Sequence, residues 1–209
     1  MTTPELLLAT GNAHKAKEIL LMLGNLPFRL KTLKDFPGMP EVEEDGGTLE
    51  ANARKKAVAG AAYSGLWTLA DDTGLEVGAL GGRPGVNSAR YAGPDCDFAK
   101  NNRKLLAELA GVKGDQRRAR FRCVMALAHP TGEVRIKEGF VDGLITETYA
   151  GDEGFGYDPV FYLPELKRTL GEMPLEEKNK VSHRGRAIAA IRGDILDVLH
   201  LEAPHGRKR

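Results

Sequence analysis

A short apolar run that stops at a glycine and turns into a helical repeat constrains this chain most. Glu5 to Thr10 contains Leu6, Leu7, Leu8 and Ala9 and halts at Gly11-Asn12. Ala16, Ile19, Leu20 and Leu23 then follow i, i+3, i+4, i+7, the spacing of one helix face. A buried strand therefore leads through a glycine turn into a helix, which Gly24 ends. The alternation continues. Phe28 to Leu33 reads as a strand, and Pro37 and Pro40 mark a loop. Thr48 can N-cap a second helix with Leu49, Ala53, Ala57 and Ala61 on one face. Leu66 to Ala70 reads as a third strand, ending at Asp71-Asp72-Thr73-Gly74.

Beyond Gly74 the pattern changes. Gly74 to Gly93 reads as loop-rich, with Gly81-Gly82-Arg83-Pro84-Gly85 as its sharpest turn. Phe98 to Leu109 reads as a helix. Arg118–Ala128 and Val134–Thr146 read as long strands around a Pro130-Thr131-Gly132 turn. Gly151 to Gly156 is a second glycine-rich loop. Arg184 to Leu199 closes the chain as a helix burying Ile188, Ile191, Ile195, Val198 and Leu199. Early alternation followed by consecutive strands predicts an α/β fold on a mixed sheet with an antiparallel section, as two lobes beside a cleft. Residues 1–200 read as one domain, and 201–209 as a basic tail.

Composition excludes several classes. Lys and Arg total 30 against 29 Asp and Glu, so the net charge of +1 argues against a dedicated nucleic-acid binder. With 42% hydrophobic residues the chain is not intrinsically disordered. Two cysteines, Cys96 and Cys123, form neither a disulfide framework nor a zinc spacing, and a reducing cytoplasm is the expected setting. No run approaches a membrane span, and the first residues lack the basic start of a signal peptide.

Four places carry chemistry. Thr10-Gly11-Asn12-Ala13-His14-Lys15 opens a helix, where backbone N–H groups, the helix dipole and the Lys15 ammonium suit a phosphate. It is neither a P-loop nor a dinucleotide fingerprint. Second, Glu41, Glu43, Glu44, Asp45 and Glu50 cluster, and Asp71-Asp72 stand at a strand end. Neighbouring carboxylates on a strand face opposite ways, so one faces the cleft and the other supports it. Carboxylates with water and phosphate oxygens are a typical Mg²⁺ environment. Third, Phe155-Gly156-Tyr157-Asp158-Pro159 offers an aromatic, Phe155 or Tyr157, to stack on a base, and Asp158 to accept from a base N–H. Fourth, Lys178 and Ser182-His183-Arg184-Gly185 offer an N-cap and donors for carbonyl or phosphate oxygens. Each also has an ordinary structural reading: a helix cap, a solvated acidic loop, a turn with core aromatics, surface charge.

In this order, with Asn52-Ala53 and Pro84-Gly85…Ser88-Ala89-Arg90-Tyr91 between them, these motifs resemble the inosine/xanthosine triphosphate pyrophosphatase family from Leu6 to about Leu199. The resemblance implies cleavage of the α–β phosphoanhydride of ITP, dITP and XTP, a requirement for Mg²⁺, a homodimer, and a long, curved mixed sheet with a lobe on each side of a deep cleft. It implies that Asp72 is the catalytic carboxylate and a metal ligand, with Asp71 as runner-up or support. It implies Glu43, or else Glu44, as the second metal carboxylate. Thr10 to Lys15 cradle the triphosphate, with Thr73 and Lys56 adding donors. His183 and Arg184 favour a 6-oxo purine, Phe155 stacks on it, and Lys178 and Asp158 contact base or ribose. Two rival readings are a pyrophosphatase for modified pyrimidine nucleotides and a nucleotide sensor without catalysis.

Overall fold

A computed structural model describes residues 3–24 and 26–201. The elements are β1 (Glu5–Leu8), α1 (Ala13–Leu23), β2 (Arg29–Thr32), α2 (Leu49–Ser64), β3 (Trp67–Val77), β4 (Pro84–Gly85), α3 (Phe98–Glu108), β5 (Arg118–Ala128), β6 (Val134–Ile145), β7 (Phe161–Leu163), β8 (Arg168–Thr169), α4 (Leu175–Val181) and α5 (His183–Val198). Among the described residues one sheet runs β2-β1-β3-β5-β6-β7-β8, with β4 on β3. The pairs β1–β2 and β1–β3 are parallel, whereas β3–β4, β6–β7 and β7–β8 are antiparallel. The mixed α/β sheet expected from the element order is therefore what the chain forms.

Contacts divide the described residues into two compact units: 3–24, 26–72, 124–138 and 187–201, and residues 73–123 and 139–186. In the first, β1 lies between two parallel neighbours, and Leu6, Leu7 and Leu8 are completely buried, as in a strand covered on both faces. The β1–α1–β2 and β2–α2–β3 crossovers run in opposite directions across the sheet. Right-handed crossovers therefore place α1 and α2 on opposite faces. Thr48 caps α2 by accepting from the Ala51 N–H at 3.1 Å. The buried stripe of α2 is small: Ala53, Ala57, Gly60 and Ala61. A Cβ at Gly60 would lie 2.7 Å from Thr68 Cγ2, so the missing side chain lets the helix press on the sheet. On α5, Ile191 and Ile195 are fully buried, each worth roughly 1.5–3 kcal/mol.

The second unit is organised by Phe121, Phe161, Leu105, Leu109, Leu75 and Met173 in one apolar cluster. Arg117 is buried beside it and donates to four main-chain oxygens: Ile145 at 2.6 Å, Thr146 at 2.7 Å, Leu109 at 2.9 Å and Val112 at 3.0 Å. It thereby ties the end of α3 to the end of β6.

Three expectations are corrected. The third strand does not end at Asp71 but runs on through Gly74 to Val77, because lysines and an asparagine compensate its buried carboxylates. Gly74 to Gly93 is consequently loop-like only after Val77. Leu20, expected on the buried face of α1, is exposed, whereas Ile19 and Leu23 are buried. The helix α4 lies in a segment with no clear apolar period. The basic tail lies outside the described residues from 202 onward.

Candidate functional site

The predicted site residues fall into two polar clusters, one in each unit. The first is built where β1 ends and where β3 carries its acids. Asn12 caps α1, its side chain accepting from the His14 and Lys15 N–H groups at 2.9 and 3.1 Å. Those two N–H groups, expected to be open to a phosphate, are thus held by the cap, and the Lys15 ammonium is the group that projects. It lies 3.0 Å from Asp71 Oδ2. Gly11, Ala13 and His14 are exposed, and Thr10 is half-buried.

Asp71 and Asp72 face opposite sides of β3, as alternation requires, and each meets a different helix. Asp71 meets Lys15 of α1. Asp72 meets α2, where Asn52 donates to its Oδ2 at 3.1 Å and Lys56 Nζ lies 3.8 Å from its Oδ1. Burial pushes the Asp72 carboxyl above the ordinary carboxylate range, against the pull of Lys56, Lys15 and the Asn52 hydrogen bond. Burial also works against the Lys56 ammonium, but Asp71, Asp72 and Glu44 together outweigh it and hold the pKa above the usual lysine value.

The acidic loop resolves into separate fates. Lys56 binds Glu44, which brings that carboxylate to the Asp72 side of the sheet. Lys55 binds Asp45 at 2.7 Å, and Glu50 lies 3.9 Å from Arg54. Glu43, the favoured sequence candidate, is exposed, and the structure brings Glu44 rather than Glu43 to the cluster.

Among the described residues no group of three or more His, Cys, Asp or Glu side chains forms a closed metal cage. Asp72 and Glu44, joined through Lys56, nonetheless fit Mg²⁺. That ion keeps several waters and takes one or two carboxylates together with substrate phosphates.

The second cluster surrounds the 154–158 loop. Asp158 is buried, accepting from Lys178 Nζ at 2.6 Å and from the Phe155 N–H at 2.8 Å. The Lys178 and Asp158 side chains are 2% and 4% exposed, so the pair holds the loop from within rather than lining a surface. A Cβ at Gly154, which has φ +76°, would collide with the Asp158 carboxylate, so only glycine fits there. Phe155 is half-buried, with Lys178 Nζ 5.0 Å and the Arg184 guanidinium 5.6 Å from its ring centre. Tyr157 is not a stacking platform: it is buried, and its hydroxyl donates to the Ser88 oxygen at 2.9 Å. Gly156 presents its carbonyl to Asn102.

Ser182 opens α5 as expected, its Oγ accepting from the Gly185 N–H at 3.1 Å. His183 stacks on Phe121 with ring centres 4.4 Å apart. Arg184 donates to Thr73 Oγ1 at 3.0 Å, which ties α5 to the residue that follows Asp72 in β3. Asn52 carried no role in the sequence reading. The available signal was an amide between Leu49 and Ala53 on an otherwise apolar helix face.

The Ham1 family profile matches residues 6–193, nine-tenths of the chain and all the residues above. The chain belongs to the Ham1 family. Ham1 relatives include the dITP/XTP pyrophosphatase of Desulforamulus reducens, 50% identical over 197 residues, which are 94% of this chain and 98% of that protein. The dITP/XTP pyrophosphatase of Elusimicrobium minutum is 52% identical over 191 residues, covering 90% and 97% of the two chains. A Ham1 protein structure from Coxiella burnetii superposes with a TM-score of 0.85 at 37% identity, covering 93% of this chain and all of that one.

Proposed function

We propose that this Ham1 protein hydrolyses deaminated purine nucleoside triphosphates (ITP, dITP and XTP) to the monophosphate and pyrophosphate, with Mg²⁺. The observation that carries the reading is about 50% identity, across nearly the whole chain, to proteins named for that activity on dITP and XTP. The first cluster supplies suitable chemistry. Lys15 and Lys56 neutralise triphosphate oxygens, and Thr10 to Ala13 and Thr73 add donors. Asp72 orients the attacking water and accepts its proton. Asp72 and Glu44 hold the magnesium ion, which when bound supplies charge neutralisation and polarises a phosphoryl oxygen. Phosphoryl transfer is mostly positioning and charge compensation, so a water, two carboxylates and two lysines suffice.

The second cluster reads the base. Hypoxanthine and xanthine carry a 6-oxo acceptor where adenine carries an amino donor. His183 and Arg184 offer donors, so adenine would set donor against donor, a mismatch worth on the order of 10⁴ in kcat/KM. Phe155 stacks on the ring, with Lys178 and Asp158 shaping its loop. The enzyme acts as a cytoplasmic homodimer, a setting in keeping with a sequence that carries only two cysteines.

A panel of ITP, dITP, XTP, ATP, GTP, dUTP and methylated pyrimidine triphosphates tests this reading. The expected result is kcat/KM for the three deaminated purines at least about a hundredfold above ATP and the pyrimidine triphosphates. Preference for a pyrimidine, or binding without turnover, would replace it by one of the two rival readings.

A further inference from the structure

The 154–158 loop has two left-handed glycines, Gly154 at φ +76° and Gly156 at φ +64°, flanking Phe155. Glycine gives such a loop no rigidity of its own. The direction of the Phe155 ring must therefore be set by what touches the loop. Asp158 holds one side through the Phe155 N–H. The other side is held by α3. Asn102 donates its side-chain amide to the Gly156 oxygen at 2.7 Å. Phe98, one turn earlier on the same face, sets its ring against Phe155, with centres 5.8 Å apart and planes inclined by 46°. Two side chains at i and i+4 thus grip two consecutive loop residues, one through the ring and one through the carbonyl.

Asn102 is a poor choice for stability. It is 3% exposed, and its Oδ1, equally buried, has no hydrogen-bond partner among the described residues. Burying a whole amide for one bond costs more than burying a leucine of similar shape. An asparagine here is better explained by what its single bond holds than by what it adds to the core.

We infer that Phe98 and Asn102 of α3 are positioning residues for base recognition, fixing the Phe155 ring without touching the nucleotide. The inference rests on Phe155 stacking on the base. Asn102 acts through the Gly156 carbonyl and Phe98 through ring contact. Base affinity and selectivity therefore depend on a helix that contributes no group to the phosphate chemistry.

The test is a double-mutant cycle on the full chain, combining Asn102→Leu and Phe155→Ala, with kcat and KM measured separately for dITP. Asn102→Leu is expected to raise KM about fivefold, the worth of one neutral hydrogen bond, with kcat within about twofold. Asn102→Gln, which keeps a donor, should recover part of the loss. In the Phe155→Ala background Asn102→Leu should change KM less than twofold, because the ring it positions is gone. If Phe155→Ala raises KM but Asn102→Leu does not, the positioning role is overturned while base stacking stands. A fall in kcat with KM unchanged in Asn102→Leu likewise overturns the role, because that pattern reports general damage. If Phe155→Ala leaves KM unchanged, base stacking itself fails and takes the inference with it. Should Asn102→Leu not fold, Phe98→Leu takes its place in the cycle with the same expectations.

Discussion

Asn52 donates its side-chain amide to Asp72 Oδ2 at 3.1 Å while the other end of that amide accepts from the Gly46 N–H at 2.8 Å. One buried side chain thus ties the carboxylate of β3 to the loop that carries Glu44. Lys56, one turn further along α2, spans the same two acids. Removing Asn52 frees the Asp72 rotamer and the loop together. A hydrogen bond to a charged group contributes about 1.5–3 kcal/mol, so Asn52→Ala should lower kcat roughly tenfold or more. Steady-state kinetics on dITP check this, and kcat within twofold of the parent would remove Asn52 from the site.

Asp72→Asn should abolish turnover and at the same time raise stability near neutral pH. Burial lifts the folded-state pKa of Asp72 above its ordinary value. A raised folded pKa means that its contribution to stability is fully present below the unfolded pKa and is lost as pH rises through the folded pKa. An amide does not carry that cost. The gain over the parent should therefore be present at pH 7 and shrink as pH falls towards the ordinary carboxylate range. Thermal melts at pH 7 and pH 4 measure it, and a variant less stable at pH 7 would contradict the sign.

Glu44→Gln and Glu43→Gln should separate cleanly. Glu44 reaches Lys56 beside Asp72, whereas Glu43 is exposed. The first variant should need at least about tenfold more Mg²⁺ for half-maximal rate, the loss expected when one charged ligand goes. The second should titrate like the parent. The reverse order would return the metal role to Glu43.

Lys178→Met should be costly to the fold. It leaves Asp158 buried and uncompensated, which typically costs about 3–5 kcal/mol. Adding Asp158→Asn should recover part of that loss, since the stranded charge is then removed. Urea unfolding of both single variants and the double gives the coupling. Additive losses would mean that the pair does not act as a unit.

The legible parts of this protein were those where one local rule decides. Residues 6–9 announced a buried strand, Thr48 and Ser182 announced their caps, and the α2 stripe announced its face by spacing alone. The end of β3 is not legible locally, because Asp-Asp-Thr-Gly looks like a turn. Only the lysines of α1 and α2, 56 and 16 residues away in sequence, make a strand affordable there. Glu43 and Glu44 are neighbours that differ in nothing but direction, and Lys56 decides between them. Tyr157 and Asp158 looked like ligand contacts because they are polar beside glycines. Their partners, Ser88 and Lys178, turn them inward, and no short motif reveals partners that distant.

The most direct test of the central claim is to identify both products formed from XTP or dITP with Mg²⁺. Chromatography should find the nucleoside monophosphate and pyrophosphate in equal amounts, and neither with Asp72→Asn. Release of orthophosphate with the nucleoside diphosphate, or no turnover by the parent protein, would contradict it.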